Sequence, residues 1–147
     1  MSGSITLAAD VEASPVHIFE ILSTTEGHRG FWTEDCEVST DRARFGFPST
    51  PIDLEVDVTA EPTKVVRMRV TSGFPFWEGS TWEWELGDAV RAETGTGVVF
   101  RHYGFGDGYP EADLGHTAQT WAGILDRLAK YAASGTPQPF IPAAATS

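Results

Sequence analysis

The chain has 147 residues, 41% of them hydrophobic, which is the size of one ordinary domain, and its formal net charge of -11 disfavours nucleic acid and anionic membranes as partners. Cys36 is the single cysteine, so an intramolecular disulfide and a cysteine-rich zinc site are both excluded. The sequence has no apolar run of about 18 residues and its N-terminus lacks a basic start, so we expect a cytoplasmic protein that does not cross a membrane.

The first 32 residues predict one strand and two short helices. Residues 4 to 11 alternate between polar and apolar side chains, which is the pattern of a half-buried strand. Ser14 followed by Pro15 is typical of a helix start. The apolar face of this helix is predicted to comprise Val16, Ile18, Phe19, Ile21 and Leu22. A second short helix is predicted from residue 25 to residue 32.

Residues 34 to 105 follow a period of two and predict a run of antiparallel strands. Turn residues divide the run into strands at residues 35–39, 42–47, 52–60, 64–71, 80–86 and 97–105. The charges on the polar faces of the last four strands are acidic, basic, acidic and basic in turn. Strands that follow each other in sequence would oppose unlike charges if they paired, so we predict a meander.

Residues 110 to 134 predict a long amphipathic helix. Its apolar stripe recurs at steps of three and four and comprises Leu114, Ala118, Trp121, Leu125, Leu128 and Ala132. Pro110 suits the first turn, and Gly135 is expected to end the helix. At ~1.5 Å per residue the helix is roughly 37 Å long, which is enough to cross a sheet of seven strands.

Together these elements predict an α+β fold in which a curved seven-stranded antiparallel sheet wraps around the long C-terminal helix. Such a sheet cannot touch the helix everywhere, and the gap is a natural place for a pocket. Residues 1–135 form the single predicted domain. The tail, residues 136–147, is rich in proline and alanine, so we expect it to be mobile or extended and its removal beyond Pro139 to leave folding intact.

Five motifs follow one another in a fairly specific order. They are Ala13-Ser14-Pro15 after the first strand, Phe31-Trp32 after the second helix, GSTWEWEL, Thr96 with VVFRHYGF, and TWAGILDRLAKYAASGTPQPF. In this order they resemble the START-like or SRPBCC superfamily, and within it the branch named after the activator of the heat-shock protein ATPase. Thr120 departs from the pattern, because many relatives have glycine before the tryptophan. The resemblance covers nearly the whole chain and implies a helix-grip fold with an internal cavity.

Inward-facing residues of the later strands and the final helix are the candidate lining of that cavity. Alternating aromatic residues either surround a ligand or fill a core, and both interpretations are open here. His102 shares the parity of Val98 and Phe100, so its imidazole must find a partner inside, either in the protein or on a ligand. The predicted ligand-binding residues are Trp32, Met68, Trp82, Trp84, His102, Thr117 and Trp121, with Trp32 and Trp77 near the mouth.

Patterns for other chemistry are weak. His102 and His116 lack metal-ligand spacing, and the glycine-rich GFGDGYP lacks the lysine of a phosphate loop, so we expect no metal and no cofactor. Cys36 has no basic or histidine neighbour in the sequence and is expected to be a buried, inert thiol.

The expected function is therefore binding of a small hydrophobic or aromatic molecule in the cavity. The superfamily ranges from lipid carriers and hormone receptors to polyketide cyclases and co-chaperone domains, so the resemblance implies two alternatives. One is an enzyme of the polyketide cyclase or dehydratase kind, which would need a second polar group near His102, such as Thr117 or Glu78. The other is a co-chaperone-like interaction module, with a homodimer and a chaperone partner left open.

Overall fold

The computed structural model describes residues 3–142, which form seven strands and three helices. In chain order these are β1 (Ile5–Val11), α1 (Pro15–Ser23), α2 (Thr25–Phe31), β2 (Cys36–Val38), β3 (Arg42–Phe47), β4 (Thr50–Glu61), β5 (Val65–Ser72), β6 (Thr81–Asp88), β7 (Thr96–Tyr103) and α3 (Glu111–Ser134). The predicted α+β fold, with two short helices between the first two strands and a long C-terminal helix, is confirmed. No helix within this described part is long and apolar enough to cross a membrane.

The seven strands form one antiparallel sheet in the order β1-β7-β6-β5-β4-β3-β2. The predicted meander runs from β2 to β7, and β1 pairs with β7 in antiparallel orientation. Unlike charges oppose each other across the outer face, as the sequence predicts. Arg67 lies 3.5 Å from Glu83, and Arg101 bridges Glu83 and Glu85 at 3.2 Å each.

Helix α3 packs its apolar stripe on the inner face of the sheet. Trp121, Leu125, Leu128 and Ala132 are buried as predicted, together with Ile124. Leu114 and Ala118 are only half-buried, and neither of them lines the spaces described below. Gly135 ends the helix in the left-handed conformation with φ of 74°, and its N–H donates to the Tyr131 carbonyl.

Helix α1 begins as predicted, because the Ser14 hydroxyl accepts a hydrogen bond from the N–H of His17. The prediction that Val16 belongs to its apolar face is wrong, since Val16 is 57% exposed. The buried face is formed by Ile18, Ile21 and Leu22, which lie at the helical spacing of three and four.

The C-terminal segment is extended, and it is docked rather than loose. Its N–H groups at Gln138, Phe140 and Ile141 donate to the carbonyls of Gly30, Phe31 and Trp32, and the Ile141 carbonyl accepts from Glu34. The ring of Phe140 lies against α3 at Gly123, where any Cβ would come within 2.4 Å of it. The expectation that nothing beyond Pro139 is docked is wrong for Phe140 and Ile141, because backbone pairing needs no hydrophobic periodicity. Residues 143–147 of the predicted tail lie outside the described residues.

Candidate functional site

An inner cavity of about 310 Å³ opens beside the first half of α3. The helix forms one wall through His116, Thr117, Thr120, Trp121 and Ile124. The other walls come from the β3–β4 turn, the loop after β5, the residue that follows α2 and the docked C-terminal segment; they comprise Phe47, Ser49, Thr50, Phe74, Trp77, Trp32 and Ile141. The cavity is thus mainly aromatic and aliphatic, with a few hydroxyl groups along the helix.

An outer depression of about 460 Å³ adjoins the inner cavity and shares Phe74, Trp77, His116 and Thr117 with it. Its remaining lining residues are Pro75, Phe76, Tyr109 and Asp113. The loop between β5 and β6 supplies most of the aromatic rings, and the first two turns of α3 supply the polar groups. The two spaces therefore adjoin each other along these four shared residues.

A hydrogen-bonded chain fixes the border between the two spaces. The Trp77 Nε1–H donates to the Tyr109 hydroxyl at 3.3 Å, and this hydroxyl lies 2.8 Å from Thr117 Oγ1. The Trp77 ring stacks on Trp121 with centroids 6.3 Å apart. The aromatic loop is therefore tied to α3 by polar and apolar contacts.

His102 lies behind the inner cavity and has protein partners for both ring nitrogens. The Trp121 Nε1–H donates to Nδ1 at 3.1 Å, and Nε2 lies 2.9 Å from Ser80 Oγ. An indole nitrogen can only donate, so Nδ1 is the acceptor and Nε2 carries the proton that goes to Ser80. The Ser80 hydroxyl donates in turn to the Trp77 carbonyl at 2.5 Å. This arrangement is that of a satisfied buried histidine.

Burial sets the charge state of this imidazole. His102 is fully buried, and desolvation lowers its pKa from 6.5 to about 3, so it is neutral at physiological pH. A group held neutral with both nitrogens engaged cannot exchange a proton with a substrate near pH 7. Of the two polar groups considered as its catalytic partner, Glu78 is exposed and lines neither space, whereas Thr117 lines both.

The structure divides the predicted ligand-binding residues into two groups. Trp32, Thr117 and Trp121 line the inner cavity. Met68, Trp82, Trp84 and His102 are fully buried and are not among the lining residues of either space. The Trp82 ring is surrounded by Trp32, Phe45, Trp77, His102 and Trp121, so it supports the cavity wall from behind.

The sequence analysis missed Tyr109, Asp113 and the docked Ile141 as lining residues. Asp113, His116, Thr117 and Thr120 lie three, four and seven residues apart, so a polar stripe facing the site was visible in the sequence. Ile141 had no comparable signal, because backbone pairing places it.

A third depression, of about 940 Å³, lies on the opposite, outer face of the sheet. Its lining includes Arg67, Glu85 and Val99, whose side chains point away from the core, and it contains no aromatic residue. Although it is larger, its lining mixes charged side chains with small aliphatic ones and offers no ring, so it is a weaker candidate for an aromatic ligand.

The described residues give little support to a metal site or to a reactive thiol. Among residues 3–142, no group of three or more His, Cys, Asp or Glu side chains is arranged to hold a metal ion. Cys36 is buried, and desolvation raises its pKa to about 11, which makes it a poor nucleophile.

An antiparallel sheet packed around one long C-terminal helix is the helix-grip fold. The chain is similar to the Aha1 dimer from Colwellia psychrerythraea, with 24% identity and a TM-score of 0.76 over 91% of this chain and 98% of that one. It is also similar to a Staphylococcus saprophyticus protein, with 16% identity and a TM-score of 0.73 over 95% and 98% of the two chains. A third similar structure is DynU16 from the dynemicin biosynthetic locus, with 16% identity and a TM-score of 0.74 over 97% and 51%.

At these identities the likeness concerns the fold. It confirms the predicted helix-grip architecture and agrees with the predicted resemblance to the Aha1-like branch of the SRPBCC superfamily. No family model and no curated protein matches the chain.

Proposed function

We propose that this protein binds a small, largely apolar or aromatic molecule in the inner cavity. The observation that carries the proposal is a space of about 310 Å³ walled by Trp32, Trp77 and Trp121 and bordered by the hydroxyl of Thr117. Ligand sites are typically mostly apolar clefts of roughly 300–1,000 Å³ with a few placed polar groups, and this cavity is at the lower end of that range.

Three of the predicted residues, Trp32, Thr117 and Trp121, are proposed to contact the ligand directly. Met68, Trp82, Trp84 and His102 are proposed to hold those walls in place from the core side. This division supports a binding protein better than an enzyme centred on His102, because the imidazole is occupied by Trp121 and Ser80.

A fluorescence titration with phenyl-naphthylamine, a neutral apolar probe, tests the proposal. Thr120→Trp replaces an exposed lining residue of α3 with a ring that fills the cavity. Gln119→Trp is the matched control, because this neighbouring residue is exposed and does not line the cavity. We expect Thr120→Trp to weaken probe binding at least about tenfold, or about 1.4 kcal/mol, and Gln119→Trp to leave it unchanged.

Equal binding by both variants would show that the probe does not occupy this cavity. Native mass spectrometry of the purified protein then identifies the molecule that the cavity selects from the cell.

A chaperone-associated homodimer is the second candidate, favoured by the likeness to the Aha1 dimer. It is supported if the protein sediments as a dimer and raises the rate of a heat-shock ATPase. An unchanged ATPase rate at saturating protein would reject the chaperone role.

A further inference from the structure

The outer depression combines aromatic rings with a carboxylate. Its lining comprises Phe74, Pro75, Phe76, Trp77, Tyr109 and Asp113, together with His116 and Thr117 shared from the helix wall. Neither lysine nor arginine is among these lining residues. A space lined by aromatic rings and one carboxylate is chemically different from the apolar inner cavity.

The aromatic rings are held in place before any ligand arrives. Phe76 has φ of 69°, a left-handed conformation that a non-glycine residue rarely adopts, and its carbonyl accepts a hydrogen bond from the Gly106 N–H at 2.8 Å. The Phe76 ring stacks on Tyr109 with centroids 5.3 Å apart and an interplanar angle of 29°. Tyr109 is fixed by hydrogen bonds to Trp77 and Thr117. Backbone strain that presents a partly exposed aromatic ring at a depression is typical of a binding site.

The carboxylate of Asp113 at the rim of the depression can pair with a bound cation. Asp113 is exposed, and it makes no ion pair or side-chain hydrogen bond with any residue in the part of the chain that the structure describes. The whole chain carries a net charge of -11, so its field concentrates cations and repels anions around this rim.

We propose that the outer depression is a binding site for an alkylated ammonium group. The faces of aromatic rings attract cations, and a methylated ammonium has apolar methyl groups that can pack on the rings while its charge faces the carboxylate. A strongly hydrated metal ion would gain nothing from ring faces, and an anion would meet Asp113. Because the depression shares four lining residues with the inner cavity, this group would be the head of a small molecule whose apolar body binds in that cavity.

The first test compares choline with its neutral isostere, in which carbon replaces the ammonium nitrogen, by NMR titration of the Trp77 indole N–H. Each exposed cation–π contact contributes roughly two- to fivefold in affinity, so we expect choline to bind at least about fivefold more tightly than the isostere. Equal affinities, or no binding of choline, would overturn the proposal.

Two charge-removing variants locate the contact. Asp113→Asn is expected to weaken choline binding about three- to tenfold and to leave the isostere unaffected. Glu111→Gln removes the same charge from an exposed residue of the same helix that does not line the depression, and should change choline binding less than about twofold. Equal effects of the two variants would mean that choline responds to net charge alone, which would also reject the site.

A final experiment distinguishes this inference from the proposed function. Only the role of the ammonium as the head group of a larger ligand rests on the proposed function. Hexyltrimethylammonium should bind more tightly than choline, because its alkyl chain can enter the inner cavity, and Thr120→Trp should remove that gain while leaving choline binding intact. Choline preference without an alkyl gain would keep the ammonium site and reject its link to the inner cavity. Binding of phenyl-naphthylamine without choline preference would keep the apolar site and reject the ammonium site.

Discussion

Replacing His102 with phenylalanine should destabilise the fold without weakening the binding of an apolar probe. If the partner of the imidazole were a ligand, which is the alternative that the sequence left open, the opposite would be expected, with stability kept and ligand affinity lost. The structure changes the expectation because the imidazole accepts from the Trp121 indole and donates to the Ser80 hydroxyl. In the variant the Trp121 N–H is buried without an acceptor, and Ser80 keeps only its bond to the Trp77 carbonyl.

The magnitude follows from the two bonds lost. One orphaned buried donor costs about 1–3 kcal/mol and one lost hydrogen bond about 0.5–1.5 kcal/mol, whereas the phenyl ring conserves most of the volume, so we expect a loss of about 2–4 kcal/mol. Urea unfolding followed by tryptophan fluorescence measures this loss, and titration of the folded variant with phenyl-naphthylamine measures binding. A cost below about 1 kcal/mol together with a tenfold loss of probe affinity would refute the reasoning and restore His102 as a ligand contact.

Three further predictions concern stability. Trp121→Ala should cost about 3–5 kcal/mol in denaturant unfolding, because it leaves a cavity where a ring is now 1% exposed. Deleting residues 140–147 should lower the free energy of unfolding by about 2–4 kcal/mol, because it removes the backbone hydrogen bonds of Phe140 and Ile141 and the contacts of the Ile141 side chain. Deleting only residues 143–147 is the control for shortening the chain. Burial lowers the pKa of His102 to about 3 and of His28 to about 4, so the unfolded chain binds protons first as the pH falls below 6.5. Their contribution to stability is complete above pH 6.5 and should fall by roughly 1.4 kcal/mol per pH unit and histidine down to about pH 4, which urea unfolding at several pH values measures.

Elements with strong periodicity were predictable from the sequence. In β4 the alternation of Leu54, Val56 and Val58 with acidic residues corresponds to the buried and exposed faces in the structure. The sign of charge on successive strands predicted their pairing, because cross-strand neighbours such as Arg67 and Glu83 must meet. Both predictions depend only on the alternation of side chains and on the sign of their charges, and both can be read directly from the sequence.

The docking of the C-terminal segment was not predictable in this way. Phe140 and Ile141 are held by N–H groups and carbonyls of residues 31–34, and such pairing leaves no pattern in side-chain type. Gly123 contributes by the absence of a side chain, which lets the Phe140 ring approach the helix. The segment therefore becomes a wall of the inner cavity, through Ile141, for reasons visible only in three dimensions.

The position of the site follows from how aromatic volume is shared between the sheet and the helix. The alternation along β6 correctly predicts that Trp82 and Trp84 face inward, but it does not predict whether neighbouring side chains fill the space around them. The space is filled, because Phe31, Phe45 and Phe100 from other elements pack against these two rings. The inner cavity lies beside a second stripe of α3, which includes Thr117 and Thr120 and adjoins the packed apolar stripe. In a fold that grips one helix, a ligand site is therefore expected where a polar stripe of that helix borders its packed face, and here that border lies at Thr117 to Thr120.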